Sequence, residues 1–162
     1  MLNLKKYINK PSPGYAIGIY KQGEVSFYTL GNRCVSPNIL EVRTDTLYDI
    51  ASLTKVFTAT LVYMAYEENL IDIYDNIYNI DNNFVNLKTV KVIDLLSHNQ
   101  DIWTDGYLGS ARSKDEFYKI LYSAYVKNDI PTYVDSHYII LSTILERSWN
   151  DREKKAYWIN MV

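Results

Sequence analysis

A serine and a lysine stand one helical turn apart in the run DIASLTK, residues 49–55. A serine hydroxyl attacks a carbonyl efficiently only when a neighbouring group takes its proton as the bond forms. Residues three apart on a helix share a face, so a helix that starts at Ser52 brings the Lys55 amine beside the hydroxyl. The spacing therefore predicts a nucleophile, Ser52, and its base, Lys55.

The start of such a helix has its own electrostatic effect on this pair. Its free N–H groups can donate hydrogen bonds to developing negative charge, and its partial positive charge disfavours a second cation. A free lysine has a pKa of about 10.4. We therefore expect burial and the helix N-terminus together to lower the Lys55 pKa.

A serine and a lysine at this spacing also occur by chance about once in a chain of this length, so the context has to be considered. Ser52 and Lys55 form the only such pair in the sequence. Apolar residues occupy nearly every face of the helix behind them: Val56, Phe57, Ala59, Leu61, Val62, Met64 and Ala65. Because a helix that is apolar on all sides is normally buried, the pattern predicts a buried helix that opens with a lysine.

The elements that must position this pair follow from local patterns. Prolines 11 and 13 end a short helix predicted near residues 4–8. Two β-rich runs, 15–20 and 24–30, are joined through Gln22-Gly23 as a hairpin. The remainder is predicted to be mostly helical, in the segments 52–69, 90–98, 114–127 and 136–148. We expect one edge of the sheet to be open.

The segment TDTLYDIASLTKVFTATLVYMAYEENLIDIYDNI, residues 44–77, resembles the serine beta-lactamase and penicillin-binding protein superfamily. The likeness is to the branch that holds class C beta-lactamases, D-alanyl-D-alanine carboxypeptidases and related esterases. Thr46, Tyr48, Ser52 and Lys55 match that branch's Thr-x-Phe-x-x-x-Ser-x-x-Lys pattern, with Tyr48 in place of Phe. Asp75 falls in its acidic turn.

Two further blocks follow in the family's order. VKVIDLLSHN, residues 90–99, is similar to the "LLTHTSG" helix end, and PTYVDSHYIILSTILE, residues 131–146, is similar to "Y-S-N-x-x-Y-x-L-L-G-x-I-I-E". The resemblance thus implies that Tyr133 is the catalytic tyrosine, which relays protons, and that Asp135 replaces the substrate-binding Asn. It covers the chain from about residue 15 to about residue 148.

The resemblance implies an α/β (α+β) fold class. We expect a partial beta-lactamase/transpeptidase-like fold with an N-terminal hairpin of an antiparallel sheet and a mostly helical region. The family's Lys-Thr-Gly strand normally lies well beyond the tyrosine, whereas this chain ends about thirty residues after Tyr133. Lys88-Thr89 is better explained as a helix start with Thr89 as N-cap. We therefore expect one C-terminally incomplete domain over residues 1–162, with a tail at 149–162 unlike the family.

Two functions follow as alternatives. The first is a serine hydrolase that forms an acyl-enzyme with an amide or ester, such as a D-Ala-D-Ala peptide, a beta-lactam or an ester, and that needs no cofactor. The second is a catalytically impaired remnant or half-protein that serves as a binding or assembly unit. The open sheet edge is also expected to favour self-association.

Composition excludes several other classes of function. The net charge is −2, so no basic surface indicates nucleic-acid binding. Cys34 is the only cysteine, and His98 and His137 do not have the spacing of a metal site. We expect His98 to make helix-end hydrogen bonds and His137 to be exposed. No signal peptide or transmembrane stretch is evident, so a cytoplasmic location is expected by default, although related proteins often act outside the cytoplasm.

Overall fold

A β-hairpin opens the part of the chain that the computed structural model describes, residues 12–150. Strands β1 (Gly14–Lys21) and β2 (Glu24–Cys34) pair antiparallel in the register that places Lys21 opposite Glu24. Gln22 and Gly23 turn the chain with φ values of 51° and 87°. Two successive positive φ values match the twist of a two-residue hairpin, so the predicted hairpin is confirmed. The helix predicted at 4–8 and the tail from 151 onward lie outside the described residues.

A short third strand, β3 (Leu40–Glu41), pairs with β2, which gives the strand order β1-β2-β3. The start of β1 requires a glycine, because a Cβ at Gly14 would lie 2.5 Å from the Asn32 carbonyl oxygen. Within residues 12–150 β1 pairs with β2 alone, so its other side is an edge of this sheet. These strands belong to the first of two compact units, which meet in the sequence between Ile50 and Ala51.

The second unit, from residue 51, is mainly helical and holds the apolar core. Its elements are a 3-10 turn (Ala51–Leu53), α1 (Thr54–Glu67), α2 (Ile77–Ile80), α3 (Val92–Leu96), β4 (Asp101–Trp103), a second 3-10 turn (Leu108–Ser110), α4 (Lys114–Tyr122), β5 (Tyr125–Asn128) and α5 (Asp135–Asn150). Its fully buried large side chains include Val62, Ile77, Phe84, Leu87, Leu95, Leu121, Ile140, Leu141, Ile144 and Leu145. None of the helices seen between residues 12 and 150 is both long and apolar enough to cross a membrane.

Most helix boundaries differ from the sequence-based prediction by a few residues, and two of these differences have a clear physical reason. The helix predicted over 114–127 ends at Tyr122, and the chain then forms β5, which pairs antiparallel with β4. Pairing with a strand more than twenty residues upstream overrides the local helical pattern. The predicted N-cap at Thr89 is also wrong, because the helix begins at Val92 and the Asp94 carboxylate accepts the Lys91 N–H at 2.9 Å.

Helix α1 is buried on one side only. Thr58, Val62 and Ala65 are buried, and α1 packs against α5. On the opposite side Val56 is 64% and Phe57 63% exposed. The expectation that α1 is buried on all sides is therefore wrong, because residues 12–150 cover only one of its faces.

Truncating the core should cost far more stability than truncating the outer face of α1. Leu141 on α5 is fully buried, so Leu141→Ala should lower the free energy of unfolding by about 2–5 kcal/mol. Val56→Ala on exposed α1 surface should change it by about 0.5 kcal/mol or less. Urea denaturation followed by circular dichroism measures both. Equal losses in the two variants would contradict the assignment of the core.

Candidate functional site

Ser52 lies in the 3-10 turn that leads into α1, and Lys55 lies in the first turn of α1. The Lys55 Nζ is 3.3 Å from the Ser52 Oγ and donates a hydrogen bond to it. Ala51, the residue before the serine, has a φ of 43°, a left-handed conformation that a residue with a Cβ rarely adopts. Backbone strain of this kind persists where the surroundings fix the conformation, often at functional sites.

Tyr133 and Asp135 join this pair from a distant part of the sequence. The Asp135 carboxylate accepts a hydrogen bond from Lys55 Nζ at 2.5 Å. The same Nζ is 5.0 Å from the centre of the Tyr133 ring. The structure thus brings together all four residues singled out by the sequence, although their roles in chemistry stay predictions.

The pKa of Lys55 is raised from 10.5, contrary to the lowering expected from sequence. Burial does favour the neutral amine, but hydrogen bonding and charge attraction from Asp135 and Tyr133 outweigh it. The prediction failed because it considered the helix N-terminus and burial and gave no weight to a carboxylate at position 135. A raised pKa favours the ammonium form of Lys55 at neutral pH.

The pKa of the Tyr133 phenol shifts in the opposite direction. Hydrogen bonding from Ser52 and then from Lys55 lowers the pKa of Tyr133, although burial and then the charge of Asp135 act against this. A lowered phenol pKa makes the phenolate more accessible beside the serine hydroxyl. Of the two candidate proton acceptors, the phenol is thus better placed electrostatically than the amine.

The segment that carries Tyr133 is anchored to the turn after α3. The Thr132 N–H donates to the His98 carbonyl oxygen at 3.0 Å, and the His98 ring lies 4.5 Å from the Tyr133 ring, centre to centre. The first turns of α5 are tied in similarly. Ser136 Oγ donates to the Ile102 carbonyl and Tyr138 Oη to the Leu96 carbonyl, at 3.0 and 3.1 Å. Main-chain carbonyls of other elements therefore fix the position of the tyrosine.

The two histidines form a pair beneath Tyr133 that the sequence did not predict. His98 Nδ1 and His137 Nδ1 are 2.7 Å apart, so one of them must donate a proton and the other accept it. His137 is fully buried, and the expectation that it is exposed is wrong. The expected helix-end hydrogen bond of His98 is made by its backbone N–H, which donates to the Leu95 carbonyl of α3 at 3.3 Å, while its ring bonds to His137. No local pattern could reveal the pair, because its members are 39 residues apart.

Residues of this site line two cavities. The first, of about 530 Å³, is lined by Ser52, Lys55, His98, Tyr133 and Tyr138 together with Val56, Ala59, Thr60 and Tyr63 of α1. The second, of about 570 Å³, is lined by Asp135 and by apolar and aromatic side chains that include Trp103, Tyr107 and Leu108. Clefts of this size with few polar groups are typical of small-molecule sites. No group of three metal-ligating side chains occurs among residues 12–150.

Comparison with known proteins shows the family and the fold of the chain. The model of the Beta-lactamase family matches residues 5–152. A mutant class C beta-lactamase superposes with a TM-score of 0.76 at 16% identity, over 90% of this chain and 41% of that one. A beta-lactamase/D-alanine carboxypeptidase from Pseudomonas syringae gives 0.71 at 22% identity, over 90% and 42%. FmtA from Staphylococcus aureus gives 0.74 at 20% identity, over 94% and 42%.

These superpositions confirm the predicted fold class, a mixed arrangement of helices and strands that forms part of a beta-lactamase fold. The chain spans about two fifths of the length of the solved structures it matches. No curated protein matches the sequence.

The buried histidine should make stability depend on pH. Burial first, and then the charge of His98, lowers the pKa of His137 from 6.5 to about 4. Between these values the unfolded chain binds more protons than the folded chain, so the free energy of unfolding should fall as the pH drops from 6.5 to 4. The loss should be on the order of 3 kcal/mol. Urea denaturation across this range measures it.

The matched variant is His137→Asn, which keeps a hydrogen-bonding group near the Nδ1 position and cannot titrate. Its lower starting stability does not matter, because the measured quantity is the slope with pH. The slope should flatten between pH 6.5 and 4. An unchanged slope would show that another group causes the acid sensitivity.

Proposed function

Because the chain belongs to the Beta-lactamase family, we propose that it is a serine hydrolase that forms an acyl-enzyme with an amide or ester substrate. The observation that carries this proposal is the contact of the Lys55 ammonium with the Ser52 hydroxyl, beside a tyrosine whose pKa is lowered. D-Ala-D-Ala peptides, beta-lactams and simple esters are the substrate classes proposed. Matched structures of a class C beta-lactamase in complex with cefoxitin and of a beta-lactamase/D-alanine carboxypeptidase support the first two of these classes.

In the acylation step the Ser52 Oγ attacks the substrate carbonyl and its proton passes to the Tyr133 phenolate. The Lys55 ammonium stabilises that phenolate before the transfer and the negative charge that develops on the Ser52 Oγ as its proton leaves. Tyr133 then gives the proton to the leaving amine or alcohol, and the acyl group remains on Ser52. Water attacks the ester in the second half, with Tyr133 again accepting and returning a proton.

Asp135 is proposed to contact the substrate as well. Its side chain is 74% exposed, accepts a hydrogen bond from Lys55 and lines the larger of the two cavities. A carboxylate there can accept a hydrogen bond from a substrate amide N–H. The aromatic and apolar walls of the same cavity suit an apolar acyl or leaving group.

Ser52→Ala should abolish covalent labelling by a fluorescent penicillin or a fluorophosphonate and leave the fold intact, since the hydroxyl contributes little to packing. Intact mass after incubation, followed by peptide mapping, locates the adduct. Ser97→Ala is a matched control that removes a hydroxyl bonded to the Ile93 carbonyl in α3, so it should label normally. An adduct on another serine in folded protein, with Ser52 unmodified, would overturn the assignment.

Tyr133→Phe separates the roles of the phenol and the amine. If the phenol accepts the serine proton, the variant should label about a hundred- to ten-thousandfold more slowly, while Lys55 still contacts Ser52. Tyr74→Phe is the control, because Tyr74 is 61% exposed and lines neither cavity. Labelling of Tyr133→Phe at the rate of the unmodified protein would assign proton transfer to Lys55.

A binding or assembly unit is the second candidate function. The exposed apolar side of α1, with Phe57 63% and Tyr63 46% exposed, favours it. On this alternative the chain self-associates, and Phe57→Glu should shift it toward monomer in chromatography with light scattering. A monomer at all concentrations that labels at Ser52 would favour the hydrolase instead.

A further inference from the structure

Lys55 has two competing partners for its charge. On one side its Nζ bonds to the Ser52 hydroxyl and lies over the Tyr133 ring, and on the other it bonds to the Asp135 carboxylate. The contact with Asp135 is the shortest of these, at 2.5 Å. The lysine side chain is only 15% exposed, so solvent provides little of its hydrogen bonding.

The other titratable groups facing Lys55 come from three elements. Tyr133 precedes α5, Tyr138 belongs to α5 with its ring centre 5.8 Å from Nζ, and His98 follows α3. His98 is a weak competitor, because burial and then the Lys55 charge lower its pKa and keep it neutral. Among residues 12–150, the carboxylate seen in contact with Lys55 is therefore that of Asp135.

An amide at position 135 would act differently. Asn could accept a hydrogen bond from Lys55 but would carry no charge, so the ammonium would be balanced by the Tyr133 phenolate alone. With Asp present, the Asp135 carboxylate and the Tyr133 phenolate would share the one Lys55 ammonium. Forming the phenolate then costs more free energy, because it is repelled by the carboxylate. We propose that Asp135 is a positioning residue that holds Lys55 as an ammonium ion and restrains ionisation of Tyr133, so that the hydrolase is weakly active at neutral pH and gains activity at alkaline pH.

This inference rests on the proposed function, and it is tested by the position of the pH profile. Labelling rates with a small neutral fluorophosphonate should be measured from pH 5 to 10, each variant relative to its own plateau. The acid limb is the part of the pH profile in which the labelling rate rises toward its plateau. For Asp135→Asn this limb should move to lower pH. At a given pH on the limb, the rate relative to the plateau should then be on the order of tenfold higher than in the unmodified protein. Loss of a substrate contact would change the height of the plateau and leave the midpoint in place.

Two controls isolate the effect of this carboxylate. Asp135→Glu retains the charge and should keep the limb near that of the unmodified protein. Asp115→Asn removes an exposed carboxylate from α4, so it changes the net charge equally and should leave the limb in place. Asp135→Ser is the second neutral variant should Asn impair folding. A limb that stays in place or moves to higher pH in both neutral variants would overturn the proposal.

A measurement without catalysis separates this proposal from the proposed function. Carbon-13 at the Cζ atoms of tyrosine reports ionisation by NMR, and Tyr133→Phe identifies the resonance. The Tyr133 titration should occur at lower pH in Asp135→Asn than in the unmodified protein. If Ser52 is never acylated but this shift appears, the hydrolase proposal fails and the role of Asp135 stands, whereas an unchanged titration defeats that role whether or not labelling occurs.

Discussion

A lysine ammonium with little access to water must find its hydrogen-bond partners within the protein, and the arrangement of the site depends on this requirement. Lys55 enters from the first turn of α1 and is 15% exposed. Its partners, Ser52 and Asp135, come from the preceding turn and from α5, 80 residues later. Leaving a largely desolvated cation without such partners would cost several kcal/mol, so the packing of α1 on α5 and the polar contacts stabilise one another.

Helix α5 contributes side chains to both the apolar core and the polar site. Its buried side chains, Ile140, Leu141 and Ile144 among them, fix the helix in the second unit, and its first turn is then held by bonds to carbonyl groups of β4 and α3. Rigid support of this kind keeps reacting groups within the small tolerances that catalysis requires. The histidine pair adds a second layer beneath Tyr133.

Sequence reasoning recovered the features that depend on local pattern or on ordered blocks. The hairpin follows from alternation around Gln22-Gly23, and the residues of the site follow from three blocks that occur in a recognisable order. The strand β5 could not be predicted, because its partner β4 is distant in sequence. The histidine pair could not be predicted for the same reason, because its members are 39 residues apart.

The charge of Lys55 also depends on a contact that is distant in the sequence and could not be predicted from local pattern. Its neighbours in sequence favour a neutral amine, and a carboxylate 80 positions away reverses the direction of the shift. The exposed side of α1 is a further case, because an apolar sequence specifies that a surface avoids water but does not specify what covers it.

The charge of Lys55 can be measured directly. Nitrogen-15 NMR of the lysine Nζ atoms distinguishes ammonium from amine, and Lys55→Arg assigns the resonance. We predict an ammonium at pH 7 that persists to pH 9, since the Lys55 pKa is raised from 10.5. A neutral amine at pH 7 would contradict the account, because the pairing with Asp135 and the assignment of proton transfer to Tyr133 both require the charged form.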